Sequence, residues 1–129
     1  MSNEIYPFKT KRAYNFARKF TQVGHGLAIG DQVNRDATET WVLALADAVA
    51  NLKNGMIEAV DGDDFVVVYA GLVTIPAHGF TVNQSYFLSQ ATPGAVVAVQ
   101  PLIGLAQACF EVMDSETLYV EHQAVINNA

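Results

Sequence analysis

The 129-residue sequence is poor in the residues that stabilise or anchor many small specialised proteins. Its single cysteine, Cys109, cannot form an internal disulfide, and one thiol excludes a structural zinc site built on several thiolates. Cys109 lies among apolar residues, which favours an inert role in the core. No apolar run approaches the ~20 residues of a membrane-spanning helix, and the first residues lack the apolar core of a secretion signal. We therefore expect a protein kept in a reducing cytoplasm, with no membrane partner.

Charged residues are also scarce, at 16%, whereas hydrophobic residues make up 51% of the chain. This balance excludes a wholly disordered chain and predicts a folded domain with a substantial core. Basic residues are the scarcest, and five of the seven lie in the first 20 positions, where Glu4 is the only acid. Residues 21–129 contain two bases and twelve acids, so a basic arm precedes an acidic body.

The basic segment 1–20 is rich in aromatic residues, most of them at even positions. This spacing indicates an extended segment with one apolar face, either a first strand or an arm that docks on protein. We favour the docking arm, because a purely solvated tail would not need aromatic side chains. We do not expect it to bind nucleic acid, since the body is acidic. The residues predicted to bind a partner are Tyr6, Phe8, Lys9, Lys11, Arg12, Tyr14, Phe16, Arg18 and Lys19.

The sequence contains a weak internal repeat at an offset of 53, which aligns residues 21–71 with residues 74–124 without a gap. Within it, the triplet His25-Gly26-Leu27 falls on His78-Gly79-Phe80. The order of the matching signals along both segments predicts two halves of similar structure.

The repeat also decides between helix and strand for residues 37–55, whose alanine and leucine content alone favours a helix. The matching residues 90–108 contain two prolines and two glycines and cannot form one helix. We therefore predict a strand at 40–46, with its side chains alternating between two faces. The other predicted strands lie at 55–60, 64–70, 85–89, 95–99, 108–113 and 118–122.

Short strands with turns about every 8–12 residues predict an all-β fold, an antiparallel sandwich or barrel of jelly-roll-like form. In this fold the two similar halves pack over one core. The predicted organisation is an arm at residues 1–20 followed by one β domain at residues 21–129.

Residues with catalytic or metal-binding potential are few and poorly spaced. His25 and His78 share one repeat position, each before a glycine, so we interpret His25, Gly26, His78 and Gly79 as structural turns. The acidic residues at 61–64 fit a polar hairpin, with a weak divalent-ion site as the alternative, since the calcium-loop spacing is absent. No nucleophile, base and orienting acid can be assembled. We therefore predict no enzyme, no cofactor and no metal site.

A collinear series of short motifs adds a resemblance to a known family. The series includes HGL-x2-GD-x-V at 25–33, W-V-x-A-x-AD at 41–47, F-V-V-x-x-x-G-x-V at 65–73, AHGFTV-x-Q-x-YFLS at 77–89 and TPG at 92–94. Over most of residues 20–122 the sequence resembles a small β module of tailed-bacteriophage virion proteins. Such modules occur in capsid decoration (cement) proteins and in head or tail fibre proteins. The resemblance implies a structural protein, and the family has no catalytic residues to carry over.

The function implied by this resemblance is that of a capsid decoration protein, which binds and stabilises the shell of major capsid protein. Its location would be the capsid surface, after synthesis in the bacterial host cytoplasm, with other virion proteins as further partners. The alternative is a head- or tail-fibre module that contacts the host surface. By analogy with the symmetry of such shells we expect a homo-oligomer, with a trimer preferred to a dimer.

Overall fold

The computed structural model of the protein describes residues 16–128, except for the side chains of residues 123 and 124. This part of the chain is built almost entirely of strands, joined by turns and one short 3₁₀ helix at Val49–Asn51. The strands are β1 (Phe16–Thr21), β2 (Gln32–Arg35), β3 (Trp41–Leu43), β4 (Gly55–Asp61), β5 (Asp64–Thr74), β6 (Ser85–Leu88), β7 (Val96–Val97), β8 (Gly104–Val112) and β9 (Thr117–Asn128).

The strands form one sheet in the order β3-β2-β4-β5-β9-β8-β6-β7, and β1 pairs with β5 beside this path. Every described pairing is antiparallel. The sheet curls strongly into a half-barrel, which confirms the predicted all-β antiparallel class. The strand order is the same when it is followed inwards from either edge of the sheet, because β3-β2-β4-β5 corresponds to β7-β6-β8-β9. The two halves meet where β5 pairs with β9.

The offset of 53 recurs in the register of the strands. Where β1 pairs with β5, Thr21 lies opposite Asp64. Where β5 pairs with β9, Thr74 lies opposite Thr117, and each of these residues is 53 positions after its counterpart. The 11-residue strand β5 therefore closes the first half and also begins the second.

Both halves build a small apolar core from the same repeat positions. The first-half core contains Phe20, Leu27, Val33, Ile57, Phe65 and Val67. The residues 53 positions later belong to the second-half core: Val73, Phe80, Tyr86, Phe110, Leu118 and Val120. At most of these positions the side chain is larger in one half than in the other. Cores tolerate such exchanges when total volume is kept. This explains why the repeat is weak in sequence identity.

A further set of buried side chains joins the two halves. It includes Ala44, Ala46, Leu52, Met56, Val68, Leu88 and Cys109. Backbone hydrogen bonds also cross between the halves, since Gln32 N–H donates to Gly94 O at 3.0 Å and Gly94 N–H donates to Ala44 O at 2.7 Å. Residues of both halves therefore share this cluster, while the first-half core remains a separate one.

The strand predicted at 40–46 is shorter in the structure, because β3 ends at Leu43. Beyond it, Leu45 N–H donates to Asn51 O and Ala46 N–H donates to Ser89 O, both at 2.9 Å. The backbone therefore leaves the β2–β3 pairing after Leu43, and Ala46 bonds to the second half instead. Burial does not alternate along this short strand, since Val42 and Leu43 are 39% and 40% exposed.

Three other strands extend beyond their predicted ends. β5 continues to Thr74 because its last residues pair with β9. β8 begins at Gly104 and β9 continues to Asn128, since these two strands pair along the whole interval. Pairing with distant strands, which the local pattern does not encode, sets these limits.

Candidate partner-binding surface

The predicted partner-binding residues fall in two parts of the chain. Three of them, Phe16, Arg18 and Lys19, lie in β1, which pairs with β5 of the same chain. Phe16–Thr21, which include the last five residues of the predicted arm, form a strand of the sheet. The other predicted residues lie outside the described part of the chain: Tyr6, Phe8, Lys9, Lys11, Arg12 and Tyr14.

The two faces of β1 differ in chemistry. On one face, Thr21 Oγ1 donates to Asp64 Oδ1 at 2.5 Å, and Lys19 Nζ lies 3.4 Å from Asp64 Oδ2. The Thr21 hydrogen bond, with help from Lys19, lowers the pKa of the Asp64 carboxyl. The other face presents Phe16, which is 57% exposed, and Arg18. The basic charge of Lys19 is thus compensated locally by Asp64, whereas Arg18 has no salt bridge with a described residue.

The Phe16 face of β1 belongs to a cluster that we name the arginine–aromatic face. Its members are Phe16, Arg18, Phe20, Arg35, Trp41 and Tyr69. The ring centroids of Phe16 and Tyr69 are 4.9 Å apart, and those of Phe20 and Trp41 are 5.0 Å apart. The guanidinium carbons of Arg18 and Arg35 lie 5.4 Å and 5.1 Å from the centroid of Phe20.

A polar clamp holds Trp41 in this cluster. The amide side chain of Gln22 donates to Trp41 O at 3.0 Å, and its Oε1 accepts from Trp41 N–H at 2.8 Å. The indole is 3% exposed, and its Nε1 has no hydrogen-bond partner among the described residues. The position of Trp41 in the face is therefore fixed by its burial and by its two hydrogen bonds with Gln22.

Sequence reasoning missed Arg35, Trp41 and Tyr69 as members of this face. They come from three strands other than β1 and are brought together by tertiary structure alone. The one available signal was that Arg35 and Lys53 are the only bases after residue 20, and Lys53 proves to be buried.

The two histidine turns have the same construction. His25 Nδ1 accepts from Leu27 N–H at 2.8 Å, and its Nε2 is 2.7 Å from Gly62 O. His78 Nδ1 accepts from Phe80 N–H at 2.9 Å, and its Nε2 is 2.9 Å from Asp114 O. Because Nδ1 accepts a hydrogen bond in both rings, Nε2 donates to the carbonyl.

The glycine that follows each histidine has a positive φ. Gly26 has φ 67° and Gly79 has φ 78°, a backbone conformation that glycine adopts without a steric cost. The histidine side chain can therefore bend back to the N–H two residues ahead while the chain reverses. These contacts make both turns part of the framework of the fold.

The acidic hairpin residues bind backbone groups. Asp63 Oδ1 accepts from Gly24 N–H at 3.3 Å in the first half, and Asp114 Oδ1 accepts from Glu116 N–H at 2.9 Å in the second. The Glu116 bond is the main cause that lowers the pKa of Asp114. Among residues 16–128, no group of three or more His, Cys, Asp or Glu side chains is placed to hold a metal ion.

Two buried polar groups lie between the halves. Cys109 is fully buried, and burial raises the pKa of its thiol to about 12. Lys53 is 1% exposed; its Nζ donates to Glu121 O at 2.5 Å, and burial lowers its pKa. Gln107 holds the backbone of Lys53 on both sides, accepting from its N–H at 2.8 Å and donating to its carbonyl oxygen at 3.1 Å. These contacts bind the two halves together.

The surface also carries an open cleft and an apolar loop. The cleft, of about 440 Å³, lies between the halves and is mainly apolar, with Met56, Ile75 and Phe80 in its lining. In the connection from β7 to β8, Leu102 and Ile103 are 80% and 82% exposed. Exposed apolar side chains grouped in this way are typical of surfaces that contact other proteins.

Within the described residues, no helix has the length and apolar character needed to cross a membrane. The chain matches no family model, and comparisons with curated proteins and with solved structures gave no match.

Proposed function

We propose that this protein is a structural protein of a tailed-bacteriophage virion, a decoration protein that binds the shell of major capsid protein. The proposed mechanism is mechanical and needs no catalytic group. Contacts of about 800 Å² per partner, repeated over a shell, would add up to a large resistance to internal pressure even if each were modest. Its proposed location is the capsid surface, after synthesis in the host cytoplasm.

The exposure of β1 is the observation that carries this proposal. Five of its six residues are exposed, and β5 is its only partner strand among the described residues. An edge strand with free backbone groups is a common docking site for another chain. The outer backbone edge of β1, together with the aromatic and basic segment 1–15 that precedes it in the sequence, is our candidate contact with the capsid.

The test is to add the purified protein to capsids that lack it and to locate it by electron cryo-microscopy. We expect density at regular lattice positions over the whole shell. Density only at a vertex or on the tail would favour the fibre alternative, and the absence of any binding would contradict a virion role with this shell.

A truncation then tests the candidate contact. Removing residues 1–15 leaves β1 and its pairing with β5 intact, whereas removing residues 1–20 would also destroy most of a strand. We expect the shorter truncation to fold and to bind capsids at least ~10-fold more weakly, the scale of losing charged contacts at an interface. Normal decoration by this variant would contradict a role for the arm.

The fibre alternative is favoured by a different observation. β5 ends the first half and begins the second. Its pairing with β9 repeats, 53 positions later, the register in which β1 pairs with β5. Repeat proteins are likewise built from similar modules that each contact the next. A head or tail fibre built from such modules would contact the host surface at its tip. Density projecting from one site of the virion would distinguish this function from decoration.

A further inference from the structure

The charges of the described domain are unevenly divided between its halves. Arg18, Lys19 and Arg35 are exposed in the first half, and the remaining base, Lys53, is buried. The second half, residues 74–124, contains four acids and no lysine or arginine. Among the described residues, exposed lysine and arginine side chains therefore lie only in the first half, whereas the second half offers carboxylates.

The arginine–aromatic face lacks counter-charge. Both arginines are held at the ring of Phe20, and within residues 16–128 their one salt bridge joins Arg35 Nη2 to Glu39 Oε1 at 3.9 Å. The Glu39 side chain is 81% exposed, so its contribution is screened by water. Two cations at one ring with a single weak acid favour the binding of a carboxylate from elsewhere.

A complementary surface lies on the hairpin of β8 and β9 and the turn that joins them. We name it the acidic hairpin face, and its members are Glu111, Met113, Asp114, Glu116 and Tyr119. Glu111 and Tyr119 lie directly opposite each other in the pairing of the two strands. Met113 and Tyr119 are 47% and 41% exposed, so apolar surface lies beside acids that form no salt bridge with a described lysine or arginine.

We propose that the arginine–aromatic face of one copy of this protein binds the acidic hairpin face of a second copy. Arg18 and Arg35 bind the carboxylates, and Phe16 packs against Met113 and Tyr119. The contact has the composition of a stable interface, with arginine and aromatic anchors surrounded by polar groups. Because the two faces differ, the interface is heterologous, and it closes into a ring or continues as a filament.

This inference specifies the homo-oligomer that accompanies the proposed function. Its test uses the full-length protein without capsids, so either proposal can fail while the other stands. The mass of the protein is measured by analytical ultracentrifugation over a range of concentrations, at low and at high salt. We expect self-association that weakens as salt rises, since screening reduces the attraction between exposed charges. A monomer at every concentration in low salt would overturn the inference.

Single charge reversals identify the faces. We expect Arg18→Glu and Glu111→Arg each to weaken self-association by ~10-fold or more. The control for the first is Lys19→Glu, on the opposite face of the same strand. The control for the second is Asp61→Arg, on the corresponding hairpin of the first half. Equal effects of variants and controls would show a general charge effect and overturn the assignment.

A charge swap separates binding from misfolding. Each single variant associates poorly with itself, but a mixture of Arg18→Glu and Glu111→Arg copies would still place a carboxylate opposite a guanidinium at the interface. We expect the mixture to associate more strongly than either variant alone. Circular dichroism checks that both variants are folded, and folded variants that fail to associate when mixed would overturn the pairing of these two faces.

Discussion

His25 and His78, 53 residues apart, occupy equivalent places: each ties its own loop to the hairpin turn of the same half. The distances from Nε2 to the carbonyl oxygens are 2.7 Å and 2.9 Å. Each ring also packs on an aromatic neighbour, with centroids 4.9 Å apart for His25 and Phe65 and 5.5 Å apart for His78 and Phe80. The same arrangement therefore holds the corresponding turn in each half.

The first prediction concerns these two histidines. Replacing either by alanine removes two hydrogen bonds, and we expect the free energy of unfolding to fall by about 1–2 kcal/mol. Because the two turns lie in different hairpins, the double variant should lose about the sum. Urea unfolding measures the stability of the single variants and of the double variant. His122→Ala, at an exposed strand position, is the control and should change stability by less than about 0.5 kcal/mol; an equal loss there would contradict the structural role.

The second prediction concerns Gly55, which begins β4 against β5. A Cβ placed on Gly55 would lie 2.7 Å from Val68 O and would also collide with the side chain of Val67. Gly55→Ala should therefore destabilise the domain by about 1–3 kcal/mol, the usual cost of overpacking. The control is Gly62→Ala, where the added carbon has open space around it and the cost in stability comes only from the positive φ of 63°. We expect the Gly55 variant to unfold at lower urea; equal midpoints would contradict the close contact.

The third prediction concerns the reactivity of Cys109. Since burial raises the pKa of this thiol to about 12, almost no thiolate is present near pH 8. We expect the folded protein to resist a thiol-specific reagent, and the urea-unfolded protein to react at the rate of a small-molecule thiol. The time course of absorbance after adding the reagent measures both rates. Rapid reaction of the folded protein would show that the site between the halves opens readily.

The fourth prediction concerns the pH dependence that Lys53 contributes. Burial lowers its pKa in the folded protein below the ordinary value of 10.5, so the unfolded chain binds more protons between these two values. The contribution of Lys53 to stability therefore rises with pH through this interval. Stability measured by urea unfolding should rise more steeply with alkaline pH for the protein with Lys53 than for Lys53→Met.

Both proteins in this comparison carry Cys109→Ala. The thiol has a raised pKa when folded, so its contribution to stability falls as pH rises above 9.0 and would oppose the effect of Lys53. Parallel curves for the two proteins would contradict a folded-state pKa below 10.5.

Much of the fold could be predicted from local pattern and the repeat. The comparison of 37–55 with 90–108 correctly excluded a long helix, because two prolines and two glycines in one copy also limit its partner. It could not set the end of β3. Hydrogen bonds from Leu45 and Ala46 to Asn51 and Ser89 decide that end, and no local propensity reports them.

Only part of the candidate site could be predicted from the sequence. Alternation along Phe16, Arg18 and Phe20 predicts one apolar and basic face, because side chains in a strand alternate with a period of two. The membership of Arg35, Trp41 and Tyr69 depends on which strands become neighbours. The folded sheet places Arg35 at the ring of Trp41 and Tyr69 beside the same ring.

The order of residues along this chain was sufficient to establish the all-β class, the basic start, the acidic remainder and the pairing of halves at an offset of 53, because these depend on composition and period. Tertiary structure alone decided that β5 serves both halves, that Lys53 is buried and that the two arginines share one aromatic ring. Such relationships depend on contacts between residues far apart in sequence, where burial and strand register outweigh local preference.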